Sequence, residues 1–543
     1  MPRDNARATL AVMAGAFLAS LLAVVLAGMS ATDGSFTYAL DDAYIHLSMA
    51  RNLVEHGVYG PTRFAYESAS SSPLWTLALA AVARLLPGSL LYLPATIATM
   101  GALGIVAVFA HCQDYIQVSR HRPGLVVAAI LLPVLLFLPG LVVGGMEATA
   151  WILVVLLICL LFASHHRRGL NRGQLILLLA LCAIAPLLRF EALFVAAGCV
   201  ASAVLVPLLG HRRRPVLSVR PLSPLLLSGL MAMVIIGAVA AYALVNVTHG
   251  QYPLPNSVMA KSDAGGSVGT LLARVPGKFQ NNFLDDGLLA PLLLFGFYLL
   301  VQVVRQRSED GPLVVTFVVI TVLHLCLADT GSFLRYQAYL VATGLLLLLR
   351  EAAAIRARTN LRSRWQLMGG VVVLTAFAFG LPRFYLTAMA PTAMANIYQQ
   401  QGQVAAFFAT AYPDGTVADD DIGLLSYRRR GRLFDLRALG TFEVLQAMKR
   451  GQYNRSFIEQ AARAHGVRAI ALHERVVGPL VPPSWVRVAE LTEPSPNVVM
   501  ISSTAILYAP GDADAAVLRE RLLAFAPRLP AGVRLQFEPP STR

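Results

Sequence analysis

Two adjacent acidic residues, Asp41 and Asp42, lie about ten residues beyond the end of a long apolar segment, at the start of the run DDAYIHLSMARNLVEHG. Ionised side chains are costly beside hydrocarbon, and they usually mark function where they occur there. One carboxylate can act as a general base that takes the proton of an attacking hydroxyl group. Because neighbouring side chains point in different directions, the second should have another role, as a metal ligand or in orienting the acceptor. The simpler alternative is that the pair only caps the following helix.

Three basic residues, Lys261, Arg335 and Arg189, fall at the ends of apolar segments on the side of the membrane predicted for the Asp pair. Arginine can bind a phosphate group through two parallel hydrogen bonds, and lysine binds it as a point charge. These side chains are therefore of the types that can bind an anionic group. For Arg189 the alternative is a structural ion pair with Glu191 across a chain reversal.

A metal site is a further possibility, because His46 follows Asp42 by four residues and shares a helix face with it. Asp41, Asp42 and His46 would then hold a divalent cation such as Mg²⁺, Mn²⁺ or Ca²⁺. The alternative is that His46 is an ordinary surface histidine. A second acidic run, Asp419–Asp421, resembles a cation site but is predicted to be a solvated turn.

The elements that must position these residues are membrane helices. Of the 543 residues, 56% are hydrophobic and only 14% are charged, and the mean hydropathy is +0.62. A soluble protein of this length is far less apolar. The first apolar segment, Thr9–Ala31, contains no charged residue and exceeds the ~20 residues that cross a bilayer. We interpret it as an uncleaved first helix and not as a signal peptide, whose apolar part is shorter.

We predict a mainly α polytopic membrane protein with about eleven transmembrane helices. The ten further spans are Leu90–Ala110, Leu125–Leu141, Ala148–Ala163, Leu175–Leu188, Ala192–Leu209, Leu225–Val245, Leu288–Val304, Leu313–Ala328, Phe333–Leu349 and Leu367–Leu386. Lys and Arg are concentrated in alternate loops, which predicts a cytoplasmic N-terminus and an external C-terminus. The net charge of +14 is therefore a topology signal. Its spread over many short loops argues against nucleic-acid binding.

The first external loop, residues 32–86, is predicted to hold two short helices. The first follows the Asp pair, has apolar residues every fourth position, and should end at Gly57. We expect it to lie on the membrane surface, with an ion pair between Arg51 and Glu55. The second, Leu74–Leu86, is too short to span the membrane.

This second helix begins after Ser72 and Pro73, which are typical residues for an N-cap and a first helical position. Trp75 and Arg84 are expected to anchor the helix at the membrane interface.

The tail, from about Ala390 onward, is more polar and predicts a small extracytoplasmic α/β domain. The predicted domains are thus residues 1–389 and 390–543. Predicted strands are Thr416–Ala418, Arg432–Leu436, Val467–Leu472, Val498–Ser502 and Ala505–Tyr508. Predicted helices are Ala393–Ala411, Phe442–Lys449, Phe457–Ala464 and Ala513–Phe525.

A family resemblance accompanies these patterns. The run DDAYIHLSMARNLVEHG, followed by SSSPLW, resembles the polytopic, lipid-phosphosugar-dependent glycosyltransferases of the type-C superfold. It is most similar to their cell-wall arabinofuranosyltransferase-like branch. Further similar motifs are GGMEA (Gly144–Ala148), LLRFEAL (Leu187–Leu193), YPLPNSVMAKS (Tyr252–Ser262), FLRYQAYL (Phe333–Leu340), DIGLLSY (Asp421–Tyr427) and DLRALG (Asp435–Gly440).

The resemblance implies transfer of a sugar from a polyprenyl-phosphate carrier to an acceptor hydroxyl on the periplasmic side of a bacterial inner membrane. Arabinofuranose is the first candidate sugar, inversion the expected outcome, and a glycan, lipid or protein the acceptor. Asp41 or Asp42 would be the base, and Lys261, Arg335 and Arg189 would bind the donor phosphate. The substrate-binding residues implied are Tyr44, Glu147, Glu191, Asn256 and Tyr336. For Glu147, a plain helix N-terminal charge is an equal alternative.

A second class of function is a transporter or lipid-linked glycan flippase without catalysis. Such a protein should show charged residues deep within several spans, or broken helices in two related halves. The sequence shows charges at span ends and no evident internal repeat, which favours the enzyme. A lipid-linked glycan ligase is a nearer alternative, and the Asp pair in the first loop argues against it.

Overall fold

The computed structural model describes residues 2–112, 130–209, 222–261, 268–285, 289–305, 310–358 and 362–539. The chain is mainly helical and ends in a domain built on a six-stranded sheet. The helices up to residue 358 are α1 Pro2–Ser30, α2 Asp42–His56, α3 Pro73–Leu85, α4 Leu93–Cys112, α5 Leu138–Val143, α6 Ala148–Arg168, α7 Arg172–Leu188, α8 Ala192–Leu208, α9 Pro224–Thr248, α10 Asn256–Lys261, α11 Val268–Gln280, α12 Leu289–Val304, α13 Gly311–Leu327 and α14 Ala338–Arg358.

Four helical segments of the described chain are long and apolar enough to cross a membrane: Arg7–Ser30, Leu90–Cys112, Ala148–Arg168 and Pro224–Thr248. Much of the first and last of these faces outward, where large apolar side chains such as Leu22 and Met233 are more than half exposed. Exposed apolar surface of this extent marks a face that contacts lipid. The chain is accordingly a membrane protein.

The predicted count of eleven spans is not confirmed. A helix lies at ten of the predicted positions, but α7, α8, α12 and α13 have at most 17 residues. At about 1.5 Å per residue they fall short of the ~30 Å hydrocarbon core. The third predicted span begins outside the described residues. Its described part is interrupted at Phe137, whose φ is +56°.

Charged residues from alternate loops meet at opposite ends of the helix bundle. At one end, Asp310 forms ion pairs with Arg167 and Arg350. At the other end lie the residues from the loops predicted to be external: Asp42, Glu147, Arg189 and Arg335. This grouping agrees with the predicted alternation of the loops.

The first loop forms both predicted helices, but α2 does not lie free on the membrane surface. It is largely buried, with α3 on one side and a helix of the C-terminal domain on the other. Gly57 ends it with a φ of +69°, as expected. Trp75 is buried and does not anchor α3 at an interface. The predicted Arg51–Glu55 pair is absent among the described contacts, because Arg51 donates to backbone carbonyls of the C-terminal domain.

The C-terminal part begins with the long helix α15, Arg362–Gln399, which runs through the predicted boundary at residue 390. The elements that follow are α16 Gln401–Ala411, β1 Thr416–Asp419, α17 Gly423–Arg428, β2 Leu433–Asp435, α18 Phe442–Lys449, α19 Arg455–Ala464, β3 Val467–Leu472, α20 Glu474–Val477, β4 Val486–Thr492, β5 Thr504–Ala509, α21 Asp512–Phe525 and β6 Arg534–Phe537. The strand order is β2-β1-β3-β5-β4-β6; the first three strands are parallel and the other pairings antiparallel.

Both faces of this sheet are covered, as the alternation along β3 shows. Ala469 and Ala471 pack into the same cluster as α16 and α21, whereas Ile470 and Leu472 pack with α18 and α19. Successive side chains of a strand point to opposite faces, so a strand covered on both sides is apolar throughout. The apolar run Ala469–Leu472, which follows the exposed Arg468, is the physical reason why β3 could be predicted.

The predicted α/β character of the tail is confirmed, with two exceptions among the strands. Four predicted strands coincide with β1, β2, β3 and β5, and the predicted helices are present. The predicted strand Val498–Ser502 is wrong, since these residues form a loop before β5. The strands β4 and β6 were not predicted, because the polar residues that alternate along them weaken the apolar signal.

Candidate functional site

Asp42 and Arg335 form an ion pair at the end of the bundle where the loops predicted to be external meet. The Arg335 Nη2 group donates to Asp42 Oδ2 and, at 3.3 Å, to the Tyr336 hydroxyl. The Arg335 side chain is only 4% exposed, whereas that of Asp42 is 40% exposed. The Nε and Nη1 groups of Arg335 are buried and have no hydrogen-bond partner among the described residues. The pair thus combines an accessible carboxylate with a buried cation that has donors to offer a ligand.

The loop that carries Arg335 has an unusual backbone. Gly331, Ser332, Phe333 and Leu334 all have positive φ, between +45° and +86°. Non-glycine residues in this region cost on the order of 1–3 kcal/mol each and persist where the surroundings impose them. Here Phe333 packs edge-to-face on Phe137, with ring centroids 4.9 Å apart. Strain held in this way is common at functional sites.

Arg189 lies beside this pair but is occupied by two carboxylates. It donates to Glu147 Oε1 at 2.9 Å and to Glu191 Oε1 at 2.6 Å. The Tyr336 ring lies between the two arginines, 4.8 Å from Arg189 and 5.0 Å from Arg335. The structural alternative for Arg189 and Glu191 is therefore what the geometry favours. Glu147 is not a helix cap by its side chain, and its Oε2 atom has no hydrogen-bond partner in the described part of the chain.

Gly145 allows Glu147 to approach this cluster. Its φ is +70°, and a Cβ atom there would lie 2.5 Å from the Tyr38 ring and 2.7 Å from Ala43. Only glycine combines that conformation with that closeness. The GGMEA motif is thus a tight turn that brings Glu147 beside the start of α2.

The side chain of His46 makes its hydrogen bonds to hydroxyl groups and not to the Asp pair. It is buried, and its Nδ1 atom is 2.8 Å from Thr76 Oγ1 and 3.2 Å from Ser70 Oγ. Burial lowers the pKa of His46. The hydroxyl groups belong to the segment that contains the SSSPLW motif, so His46 joins α2 to α3. The alternative that His46 is an ordinary surface histidine is wrong, because its side chain is buried.

The proposed metal set does not fit the structure. Asp42, Asp41 and His46 each have different partners: Arg335, backbone amides, and hydroxyl groups. In the described ranges, no group of three His, Cys, Asp or Glu side chains could hold a metal ion. We therefore route no step of the chemistry through a cation.

Asp41 is buried and contacts the C-terminal domain. Its Oδ2 accepts from the amide of Gly423 at 2.6 Å, and its Oδ1 from that of Leu424 at 2.7 Å. It makes no side-chain hydrogen bond to the amides of α2, all of which are described. Asp41 thus caps a helix, as the alternative proposed, but that helix is α17 of the C-terminal domain and not α2. Burial, with Asp421 beside it, raises the pKa of Asp41 well above its usual range.

Two other predicted site residues, Tyr44 and Asn256, make hydrogen bonds within the protein, and a third, Lys261, has a side chain outside the described residues. The Tyr44 hydroxyl is buried and accepts from the Tyr38 amide at 2.9 Å. Asn256 is buried and donates to Glu67 Oε2 at 3.0 Å and to the Leu439 carbonyl at 3.1 Å. Lys261 ends the short helix α10, and its side chain lies outside the described residues.

Sequence reasoning missed Glu67, a second carboxylate of the first loop that meets the C-terminal domain. Its Oε1 accepts from the amide of Phe442, the first residue of α18, at 3.1 Å. Burial raises the pKa of Glu67 to about 7. The only sequence signal was its position directly before the serine run.

The acidic run Asp419–Asp421 is not the solvated turn that was predicted. Asp419 and Asp420 are buried, and Asp420 pairs with His473 Nδ1 at 2.9 Å. Asp421 accepts from Gln401 Nε2 at 2.7 Å, and its carboxyl group is hydrogen-bonded to that of Asp41. Burial raises the pKa of Asp421 above its usual value.

Comparison with known proteins gives limited further information. Residues 395–514 match the family model "Domain of unknown function (DUF8728)". No curated protein sequence is significantly similar to the chain.

Similar solved structures include two of the oligosaccharyltransferase of Archaeoglobus fulgidus. The complex with Zn and sulfate is 12% identical over 93% of this chain and 76% of that chain, with a TM-score of 0.44. AglB, in complex with an inhibitory peptide and a dolichol-phosphate, is 13% identical over 93% and 77%, with a TM-score of 0.44. ArnT from Cupriavidus metallidurans, bound to undecaprenyl phosphate, is 11% identical over 91% and 97%, with a TM-score of 0.41. All three scores are below 0.5, so these similarities assign no activity to this chain.

Proposed function

We propose that the chain is a membrane glycosyltransferase that moves a sugar from a polyprenyl-phosphate carrier to an acceptor hydroxyl. The observation that carries this proposal is the Asp42–Arg335 pair. Glycosyl transfer from a lipid phosphate needs a base for the acceptor and a cation for the departing phosphate. The pair supplies a carboxylate that is 40% exposed and a guanidinium with two donors that lack partners in the described part.

Arg335 would bind the donor phosphate. Its Nε and Nη1 groups are donors without a partner in the described residues, and each could donate a hydrogen bond to an anionic donor phosphate. Because the side chain is buried, this interaction is screened less by water than a surface contact would be. Arg189 is already engaged with Glu147 and Glu191, so its role would be to hold Tyr336 and the carboxylates in place.

Asp42 would be the base. The ion pair places this carboxylate beside the cation that would bind the donor phosphate. The acceptor oxygen then bonds to the anomeric carbon, its proton passes to Asp42, and the carbon–oxygen bond to the polyprenyl phosphate breaks. Attack opposite the phosphate inverts the anomeric centre and needs no second carboxylate as nucleophile.

The substrate details follow from the family resemblance. We propose arabinofuranose as the first donor sugar to test and a glycan, lipid or protein hydroxyl as the acceptor. Glu147 Oε2 would accept a hydrogen bond from a substrate hydroxyl, since the described residues offer it no donor.

The deciding experiment offers the purified full-length protein a panel of polyprenyl-phosphate pentoses and hexoses with glycan acceptors. Mass spectrometry then measures released polyprenyl phosphate and product. We expect release with at least one donor. The absence of release with all donors, from folded protein in lipid nanodiscs, contradicts the proposal.

We propose that the site faces the periplasm of a bacterial inner membrane, with the N-terminus in the cytoplasm. This orientation rests on the concentration of basic residues in alternate loops. A periplasm-active reporter fused after Arg543 should work, and the same reporter fused after Arg168 should not. The reverse pattern would place the site on the cytoplasmic side.

A further inference from the structure

The helix α17 of the C-terminal domain is held at both ends by residues of the first loop. At its start, the Asp41 carboxylate accepts from the amides of Gly423 and Leu424, 2.6 and 2.7 Å away. The first amides of a helix have no partner within the helix. This contact therefore satisfies two donors that would otherwise be buried without acceptors.

At the other end of α17, Arg51 donates to the carbonyl groups of Ser426, at 3.0 Å, and Tyr427. These carbonyls belong to the last turn of α17, where a positive charge is favourable. Between the two ends, the hydroxyl groups of Ser48 and Ser426 are 2.9 Å apart. We call these contacts of Asp41, Ser48 and Arg51 with α17 the α2–α17 clamp.

The clamp leaves no space for a side chain at residue 423. A Cβ atom at Gly423 would overlap both the backbone carbonyl oxygen and the carboxylate of Asp41. The overlapping atoms include backbone, so the conflict could be relieved only by moving α2 away from α17. This close approach explains why glycine begins the helical part of the DIGLLSY motif.

The clamp holds the residue directly before Asp42. Consecutive Cα atoms are about 3.8 Å apart, so the backbone of Asp42 moves with that of Asp41. The Asp42 side chain is 40% exposed, so protein packing restrains it only partly. A displacement of about 1 Å in a reacting group can lower a rate about 10²-fold.

We propose that the C-terminal domain positions the base Asp42 through the α2–α17 clamp, with Asp41 as a positioning residue and not as the base. This proposal rests on the proposed function above. It explains why two adjacent acids have different environments: one joins two parts of the chain, and the other faces the arginine that would bind the donor.

The test compares Gly423→Ala with Gly415→Ala in the full-length protein in nanodiscs. A Cβ at Gly415 meets no atom within 4 Å, so this variant is the matched control. We expect Gly423→Ala to lower kcat at least tenfold with the donor KM changed less than twofold, since Arg335 is untouched. The control should keep both constants within twofold. Unchanged kcat in folded Gly423→Ala protein would overturn the proposal.

A second variant, Arg51→Met, opens the other end of the clamp without steric overlap. We expect a smaller fall in kcat, about threefold to tenfold, again with little change in donor KM. If Gly423→Ala does not fold, this variant decides the question. A loss of thermal stability with normal kcat per folded molecule would show that the clamp is only structural.

Hydrogen exchange separates this proposal from the proposed function. In Gly423→Ala, the amides at the starts of α2 and α17 should exchange at least tenfold faster than in the wild type and the Gly415→Ala control. This readout needs no substrate. Unchanged exchange refutes the clamp even if the protein transfers sugar, whereas absent transfer with faster exchange refutes only the proposed function.

Discussion

Two ionic clusters lie at opposite ends of the helix bundle, and each contains a buried arginine paired with an aspartate. At one end Arg350 binds Asp310 through two nitrogen atoms, and Arg167 joins the same carboxylate at 3.3 Å. At the other end Arg335 binds Asp42 through Nη2 only. The arginine side chains are similarly buried, 6% and 4% exposed, but the aspartates are 17% and 40% exposed.

The difference teaches how to separate an ion pair that joins helices from one that can bind a ligand. Asp310 accepts from Arg167, near the end of α6, and from Arg350, within α14. This carboxylate therefore joins the two helices. The outer pair has an accessible acid and two buried donors of Arg335 without partners in the described residues. A buried donor without a partner costs about 1–3 kcal/mol, so a ligand that accepts from it binds more tightly.

The largest expected effect comes from Asp42→Asn. Loss of a general base should lower kcat by about 10²–10⁴-fold, because asparagine cannot take the acceptor proton. Asp310→Asn at the other cluster should lower the melting temperature and leave kcat per folded molecule unchanged. Initial rates with saturating donor, normalised to folded protein, measure both. An equal loss of kcat in the two variants would show that the two clusters do not differ in their role in catalysis.

The next effect concerns the two arginines. Arg335→Lys keeps the charge but loses the Nε and Nη1 donors of the guanidinium, so donor binding should weaken by about 1.5–3 kcal/mol, roughly 10–100-fold. Arg350→Lys should leave donor affinity unchanged within twofold. Direct titration with polyprenyl phosphate measures the affinity of each. If Arg335→Lys bound polyprenyl phosphate with the affinity of the wild type, the proposal that Arg335 binds the donor phosphate would be wrong.

The smallest expected effect concerns Glu67, a buried acid that accepts from amide groups and not from an arginine. Its comparison with Asp42 is a pH dependence of stability. Its pKa is raised to about 7 by burial, above the value of the unfolded chain. The contribution of protonated Glu67 to the free energy of unfolding is therefore complete below about pH 4.5. This contribution is lost as the pH rises through about 7. We expect the melting temperature to fall by a few degrees between pH 5 and pH 8.

The control for this last prediction is Glu67→Gln, which cannot ionise. Its melting temperature should change less over the same pH range, because one titrating group is removed. If the variant and the wild type show the same pH dependence, the dependence has another source. The contact of Glu67 with Phe442 would then be independent of its charge.

Several features of the fold were predictable because the residues involved carry a local or periodic signal. Apolar length indicated the helices, and the apolar run Ala469–Leu472 of β3 indicated a strand covered on both faces. The Gly57 helix end also depends on neighbouring residues only. The strands β4 and β6 carry no comparable signal, because β4 is recognised by its pairing with β5 and β6 by its pairing with β4.

The candidate site was predictable only as a set of residue types. The sequence by itself determined that this is a membrane protein with acids and arginines at helix ends, since burying charge in hydrocarbon is too costly for them to lie elsewhere. Which acid meets which partner was decided by the tertiary structure alone. Asp41 and Asp42 are adjacent and chemically identical, yet one caps α17, more than 380 residues away, and the other binds Arg335. Environments of this kind depend on contacts between distant segments, so no local pattern distinguishes the two acids.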